Sequence, residues 1–225
     1  ALAAAEQIVA VEGRVAALID LRLSLEGLVA MLAIERATAD IGRVTGDERA
    51  PLVADLAAAL AALGHVDRGL ALIDTLPAGE ERDRALARSA VALAQRGDHE
   101  QARDLIDRVG DEDERAWAYD EFARLLAAAG RWDEAAALCE RIGGDDQRAR
   151  AAADLAIERA KVGDTVAALA MALALDLPAE RARALTMVAS RLVATGAHEQ
   201  ALGVAADPDA LVGAEARGRY LAAVA

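Results

Sequence analysis

Apolar residues recur along this chain at three- and four-residue intervals, in blocks that close on a glycine. In the stretch Glu81 to Gly97, Leu86, Ala90, Leu93 and Ala94 share one helical face and Gly97 ends the block. That spacing predicts an amphipathic helix stopped by a glycine in the left-handed conformation. A polar turn and a shorter apolar block follow, marked by Leu105 and Ile106, or by Leu72 and Ile73 further upstream. Turns rich in Gly, Pro, Asp and Glu ("LPAGEE", "VGDEDE", "IGGDDQ", "LPAE") lead into the next long block. Acids ahead of each long helix suit the positive end of its macrodipole. The prediction is an all-α chain of helix pairs.

The pairs have a fixed period. Gly64, Gly97, Gly130, Gly163 and Gly196 are each 33 residues apart. Seven residues before each stands an alanine: Ala57, Ala90, Ala123, Ala156 and Ala189. Fifteen before each stands an arginine: Arg49, Arg82, Arg115, Arg148 and Arg181. Five after each comes a small residue: Gly69, Ala102, Ala135, Ala168 and Ala201. Arg14 and Arg217 extend the arginine series to looser units at both ends. The units run over about 12–46, 47–79, 80–112, 113–145, 146–178 and 179–214, with partial units at 1–11 and 215–225. Neither end carries a polar capping helix of the kind that closes repeat arrays. The chain is therefore expected to be a segment of a longer protein, able to self-associate through uncapped ends.

The small residue inside each first helix and the turn "GRWDEA" at Gly130 to Ala135 resemble the tetratricopeptide repeat (TPR) family. The period is one residue shorter than that family's usual unit of about 34. The family's first-helix tryptophan and tyrosine are mostly Ala or Leu here. The resemblance implies a right-handed α-solenoid of antiparallel helix pairs whose concave groove holds a protein or peptide. Alanine-rich arrays of this kind are similar to the C-terminal sensor arms of bacterial signalling ATPases of the STAND class, which implies a scaffold or sensing role.

Charge and composition narrow the function. A formal charge of −13 over 225 residues opposes binding to nucleic acid or an acidic membrane, because affinity for phosphate polymers comes from basic neutralisation. The longest apolar run, Val166 to Leu175, is far too short to span a bilayer. A single cysteine, Cys139, forms no internal disulfide and fits a reducing, cytoplasmic compartment. His65, His99 and His198 fall in turns of different units, where capping rather than metal binding is expected. No phosphate loop or acid/base pair stands out, so no enzyme, cofactor or metal is predicted.

Two sets of arginines remain. The recurrent set is expected to tie each unit to the one before. Its partners would be the acid eight residues upstream (Asp74, Asp107, Glu140) or the last carbonyls of the preceding helix. Two residues further on lies a variable row: Pro51, Arg84, Trp117, Arg150, Arg183 and Arg219. Structural ties recur in every unit, whereas a ligand-reading face varies. In TPR-like arrays this position faces the groove with those three and seven residues later, which adds Ala87 and Val91, Asp120 and Arg124, Ala153 and Ile157, Thr186 and Ser190. Arg84, Trp117, Asp120, Arg124, Arg150, Arg183 and Arg219 are thus the candidate partner-binding residues. The arginines would hold acidic groups of the partner, and Trp117 would anchor one of its side chains. The competing expectation is that they pair with nearby Glu81, Glu114 and Glu180.

Overall fold

The computed structural model describes residues 2–24, 27–206, 210–211 and 214–224. Among these, the regular elements are all helical. Leu2–Ala5 forms α1, Val11–Ser24 α2 and Gly27–Asp40 α3, followed by two single 3-10 turns, Ile41–Arg43 and Gly46–Glu48. Next come α4 (Arg49–Ala62), α5 (Val66–Ile73), α6 (Glu80–Arg96), α7 (His99–Ile106) and α8 (Glu112–Ala128). The remainder is α9 (Trp132–Cys139), α10 (Asp145–Lys161), α11 (Thr165–Leu173), α12 (Pro178–Ala194), α13 (His198–Ala206) and α14 (Ala214–Val224). From α6 to α13, helices of 17 residues alternate with helices of 8 or 9. The five evenly spaced glycines all take positive φ, between 77° and 99°. At Gly97 the amide donates to Ala94 O, and the Asp98 amide reaches back to Leu93 O at 3.0 Å. These paired bonds satisfy carbonyls that a helix end otherwise leaves open.

The chain forms two compact halves, residues 1–122 and 123–225, with the division inside α8. In the first half α2 packs on α3 and α4, α4 on α5 and α6, and α6 on α7. In the second, α10 packs on α9, α11 and α12, and α12 on α13 and α14.

The small residues explain how each pair closes. Ala57, Ala90, Ala156 and Ala189 are fully buried, as are Ala102, Ala135, Ala168 and Ala201 on the following short helices. In α5 the partner residue is Gly69, where a Cβ would stand 3.0 Å from the Ala57 carbonyl oxygen. The two backbones come so close there that even the Cβ of an alanine would be tight. Larger core residues fill the gaps on either side: Leu60, Ile73, Leu93, Ile106, Tyr119 and Phe122 in the first half, and Leu185, Val188, Leu192 and Tyr220 in the second. Tyr220 donates its hydroxyl to the Ala201 carbonyl at 2.8 Å, and burial pushes its pKa up to about 12. Cys139 is buried, at the position expected for a small apolar residue.

Several local expectations need correction. The 17-residue helices start two or three residues earlier than their recurrent arginines, so acids lie inside the first turn: Glu80, Glu81 and Asp83 in α6, and Glu112, Asp113 and Glu114 in α8. Where a recurrent arginine takes a carbonyl, it is one in the turn three residues past the end of the preceding helix rather than in its last turn. Arg14, Arg115 and Arg148 donate to Ile8 O, Val109 O and Ile142 O, each six residues upstream, at 2.6, 2.9 and 3.3 Å. Arg82 does reach Asp74, at 2.6 Å, while the Asp107 carboxylate accepts from the Tyr119 hydroxyl. The carbonyl works because a buried apolar residue (Val109, Ile142) drops into the core at that point and turns its backbone oxygen toward the guanidinium. The histidines also differ. His65 makes no side-chain cap bond, and the His99 ring packs on Phe122 with centroids 5.2 Å apart.

Candidate functional site

The variable row is split by the division of the chain, so its members are described half by half. In the first half Arg84 leans from α6 to α8. Its Nε donates to Glu114 Oε1 at 2.8 Å, and its Nη2 to Glu80 on its own helix. The bond to Glu114, aided by that carboxylate's charge, raises the arginine's pKa above its ordinary value. Trp117 stands one turn beyond Glu114 on α8 and leaves 39% of its surface exposed. Tyr119 and Phe122 on the same helix are buried, as expected for core residues. Asp120 is half-buried. Beside Arg84, Ala50, Pro51, Ala54, Glu81 and Arg88 complete the lining of a cavity of about 250 Å³ between α4 and α6.

In the second half Arg183 plays a comparable part between α12 and α10. It donates to Glu180 and Asp154, both at 2.7 Å, and to the Arg150 carbonyl at 3.4 Å. Burial opposes its charge, but the two carboxylates outweigh that and raise its pKa. Arg150 is exposed, and its guanidinium forms no ion pair or hydrogen bond among the described residues. Arg124 is exposed, and Arg219 sits 3.7 Å from Glu215 with most of its side chain in solvent. The structure thus joins Arg84 to the α8 turn that leads to Trp117, and Arg183 to the backbone at Arg150. It also gives Arg84 and Arg183 carboxylate partners from the protein itself. Exposed pairs of this kind contribute about 0–1 kcal/mol each and exchange readily.

The expected groove positions divide: Asp120 and Thr186 are half-buried, and Arg124 and Ser190 are exposed. Ala87, Val91, Ala153 and Ile157, placed there by the three- and seven-residue spacing, are buried. A residue three positions on rotates about 60° backward around the axis, toward the helix packed alongside. The residues four positions on have solvent access in each of these units: Arg88, Glu121, Asp154 and Met187. Two of them make cross-helix ties, Arg88 to Asp55 on α4 and Asp154 to Arg183. The signal that could have found this set was charge. Asp55, Arg88, Glu121 and Asp154 occupy one register in consecutive units, and charged residues are rarely buried.

Other features offer less chemistry. Among the described residues no three His, Cys, Asp or Glu side chains are grouped to hold a metal ion, and no helix is long and apolar enough to cross a membrane. Trp132 opens α9 with the Arg159 guanidinium 5.4 Å from its ring centroid, and Arg159 also bonds Asp164 at 2.9 Å. That arrangement ties α9, α10 and the α11 turn together. Helix α11 carries no charged side chain and exposes Val166 and Leu173.

No protein-family model and no curated protein matches the chain. Among solved structures, Ton1535 from Thermococcus onnurineus NA1 is similar over 98% of this chain and 81% of its own, at 15% identity and a TM-score of 0.36. A likeness of that degree supports no functional argument.

Proposed function

We propose that this chain is a non-catalytic protein- or peptide-binding module. In this reading it is a right-handed α-solenoid of TPR-like helix pairs that serves as the scaffold or sensing arm of a larger protein. Each half would offer such a partner the solvent-facing side of its long helices, which lines the concave groove in a TPR-like array. The observation that carries the reading is Trp117. A large aromatic left 39% exposed, on a helix that buries its other two aromatics, is the kind of side chain that anchors a partner. In the second half Arg150, exposed and unpaired among the described residues, is separately available to an acidic group.

The test uses peptides selected by panning a displayed random library on the protein. Trp117→Ala combined with Arg150→Glu is expected to weaken the selected peptides at least about tenfold, the loss of one modest anchor. Circular dichroism should stay unchanged, while the melting temperature falls modestly because part of the Trp117 ring is buried. Unaltered affinity in the double variant would mean that the peptides sit elsewhere.

A further inference from the structure

The cavity between α4 and α6 stands where the next pair of long helices places an arginine. In that next pair, α6 and α8, Arg84 crosses over and its Nε donates to Glu114 Oε1 at 2.8 Å. One period earlier the same two positions are Pro51 on α4 and Glu81 on α6. A proline ring is short and carries no donor, so α4 sends no guanidinium to Glu81. What remains is a cavity of about 250 Å³, lined from α4 by Ala50, Pro51 and Ala54 and from α6 by Glu81, Arg84 and Arg88. That volume suits one side chain rather than a whole small-molecule ligand. The site lies wholly within the first half of the chain.

Glu81 is exposed, and its carboxylate forms no ion pair or hydrogen bond among the described residues. The cations that line the cavity are already engaged, Arg84 with Glu114 and Glu80, and Arg88 with Asp55. Three carboxylates thus answer two guanidiniums, and Glu81 adds a fourth that has no counterion. Beyond the lining, Arg49 turns to the Thr75 hydroxyl, with Asp47 and Glu48 just ahead of it. Arg84 stands three residues after Glu81, the spacing at which Arg183 holds Glu180, but its Nε and Nη2 go to Glu114 and Glu80 instead. The positive end of α6 does not forbid a cation here. Glu114 has the same first-turn place in α8 and accepts Arg84. The mismatch is also particular to this unit. Thirty residues after Arg84, Trp117 and Arg150 stand Glu114, Gln147 and Glu180, so in those units the acid goes with an arginine in the row.

We propose that this cavity receives an arginine side chain of a partner peptide, with its stem on Ala50, Pro51 and Ala54 and its guanidinium on the Glu81 carboxylate. An arginine stem covers apolar surface while its planar head binds a carboxylate. The peptide then completes a contact that the chain makes for itself one unit later. The proposal rests on the binding-module reading and adds to it a contact of positive sign, apart from Trp117.

The probe is the capped tripeptide Gly-Arg-Gly, compared with its citrulline counterpart, which keeps the shape of arginine without the charge. In protein labelled at alanine methyls and backbone amides, the arginine peptide should shift Ala50, Ala54 and Glu81 together and saturably at millimolar concentration. The citrulline peptide, or the arginine peptide on Glu81→Gln, should bind at least about fivefold more weakly, the loss of one charge-assisted hydrogen bond. Pro51→Arg puts an arginine in the row, where it should take Glu81 as Arg84 takes Glu114 and abolish the response at unchanged helicity. Equal binding of the arginine and citrulline peptides, or binding undiminished in either variant, would overturn the assignment. So would the absence of a saturable shift at Ala50 and Ala54, and the panned peptides would still judge the binding module separately at Trp117.

Discussion

Replacing Ala90 by leucine destabilises the protein by about 2–3 kcal/mol, read as a lowered urea midpoint. Ala90 is fully buried, as is Ala102 on the short helix that packs against α6. The equivalent pair in the preceding unit, Ala57 and Gly69, is close enough that a new Cβ would stand 3.0 Å from a backbone oxygen. Three extra carbons at Ala90 have no void to occupy, so α6 and α7 must separate or the leucine must leave its rotamer well. The same substitution at Ala170, exposed on α11, is the control and should change stability by no more than about 0.5 kcal/mol. Equal effects at the two sites would show that close approach of the helices is not what Ala90 provides.

Phe122→Ala should cost more, about 3–5 kcal/mol, because it removes a whole ring from the core. Phe122 is fully buried with the His99 ring tilted 54° against it. In a core built mostly from alanine and leucine, neighbouring side chains have little length with which to collapse into the space. Phe122→Leu, which keeps most of the volume, should recover more than half of the loss. Thermal or urea unfolding of the three proteins measures both differences.

The helix order was readable from the chain because the determinants are local. The apolar spacing of Leu86, Ala90, Leu93 and Ala94 can be satisfied only by a helix, and Gly97 supplies the positive φ that stops it. The burial of Tyr119, Phe122 and Cys139 followed from the same periodicity. The choice of hydrogen-bond partner was harder to read. A guanidinium on a long side chain has many acceptors in reach, and backbone carbonyls leave no trace in a sequence. Arg115 and Arg148 therefore took Val109 O and Ile142 O, beyond the helix end, where Asp107, Glu140 and the last carbonyls of the helix were the candidates. The buried apolar residue six positions upstream of the arginine was the available clue.

The candidate face was partly legible. Trp117 and Arg150 are exposed as the variable row suggested, but Arg84 and Arg183 are already paired with Glu114, Glu80, Glu180 and Asp154. Sequence alone gives the order of charges and not the distance between helices, so it does not reveal that Asp154 stands 2.7 Å from an arginine 29 residues away. The burial of Ala87 and Ala153 has the same origin. Which side of a helix meets its neighbour depends on packing, and a difference of one residue moves a side chain by about 100°.

The most direct test of the binding face is a map of amide shifts in the isotope-labelled protein as a selected peptide is added. The Trp117 indole N–H and the backbone around residues 84–88 and 113–121 should move together and saturate at one affinity. Shifts confined to the short helices α5, α7 and α9, with Trp117 unmoved, would contradict the assignment of this face.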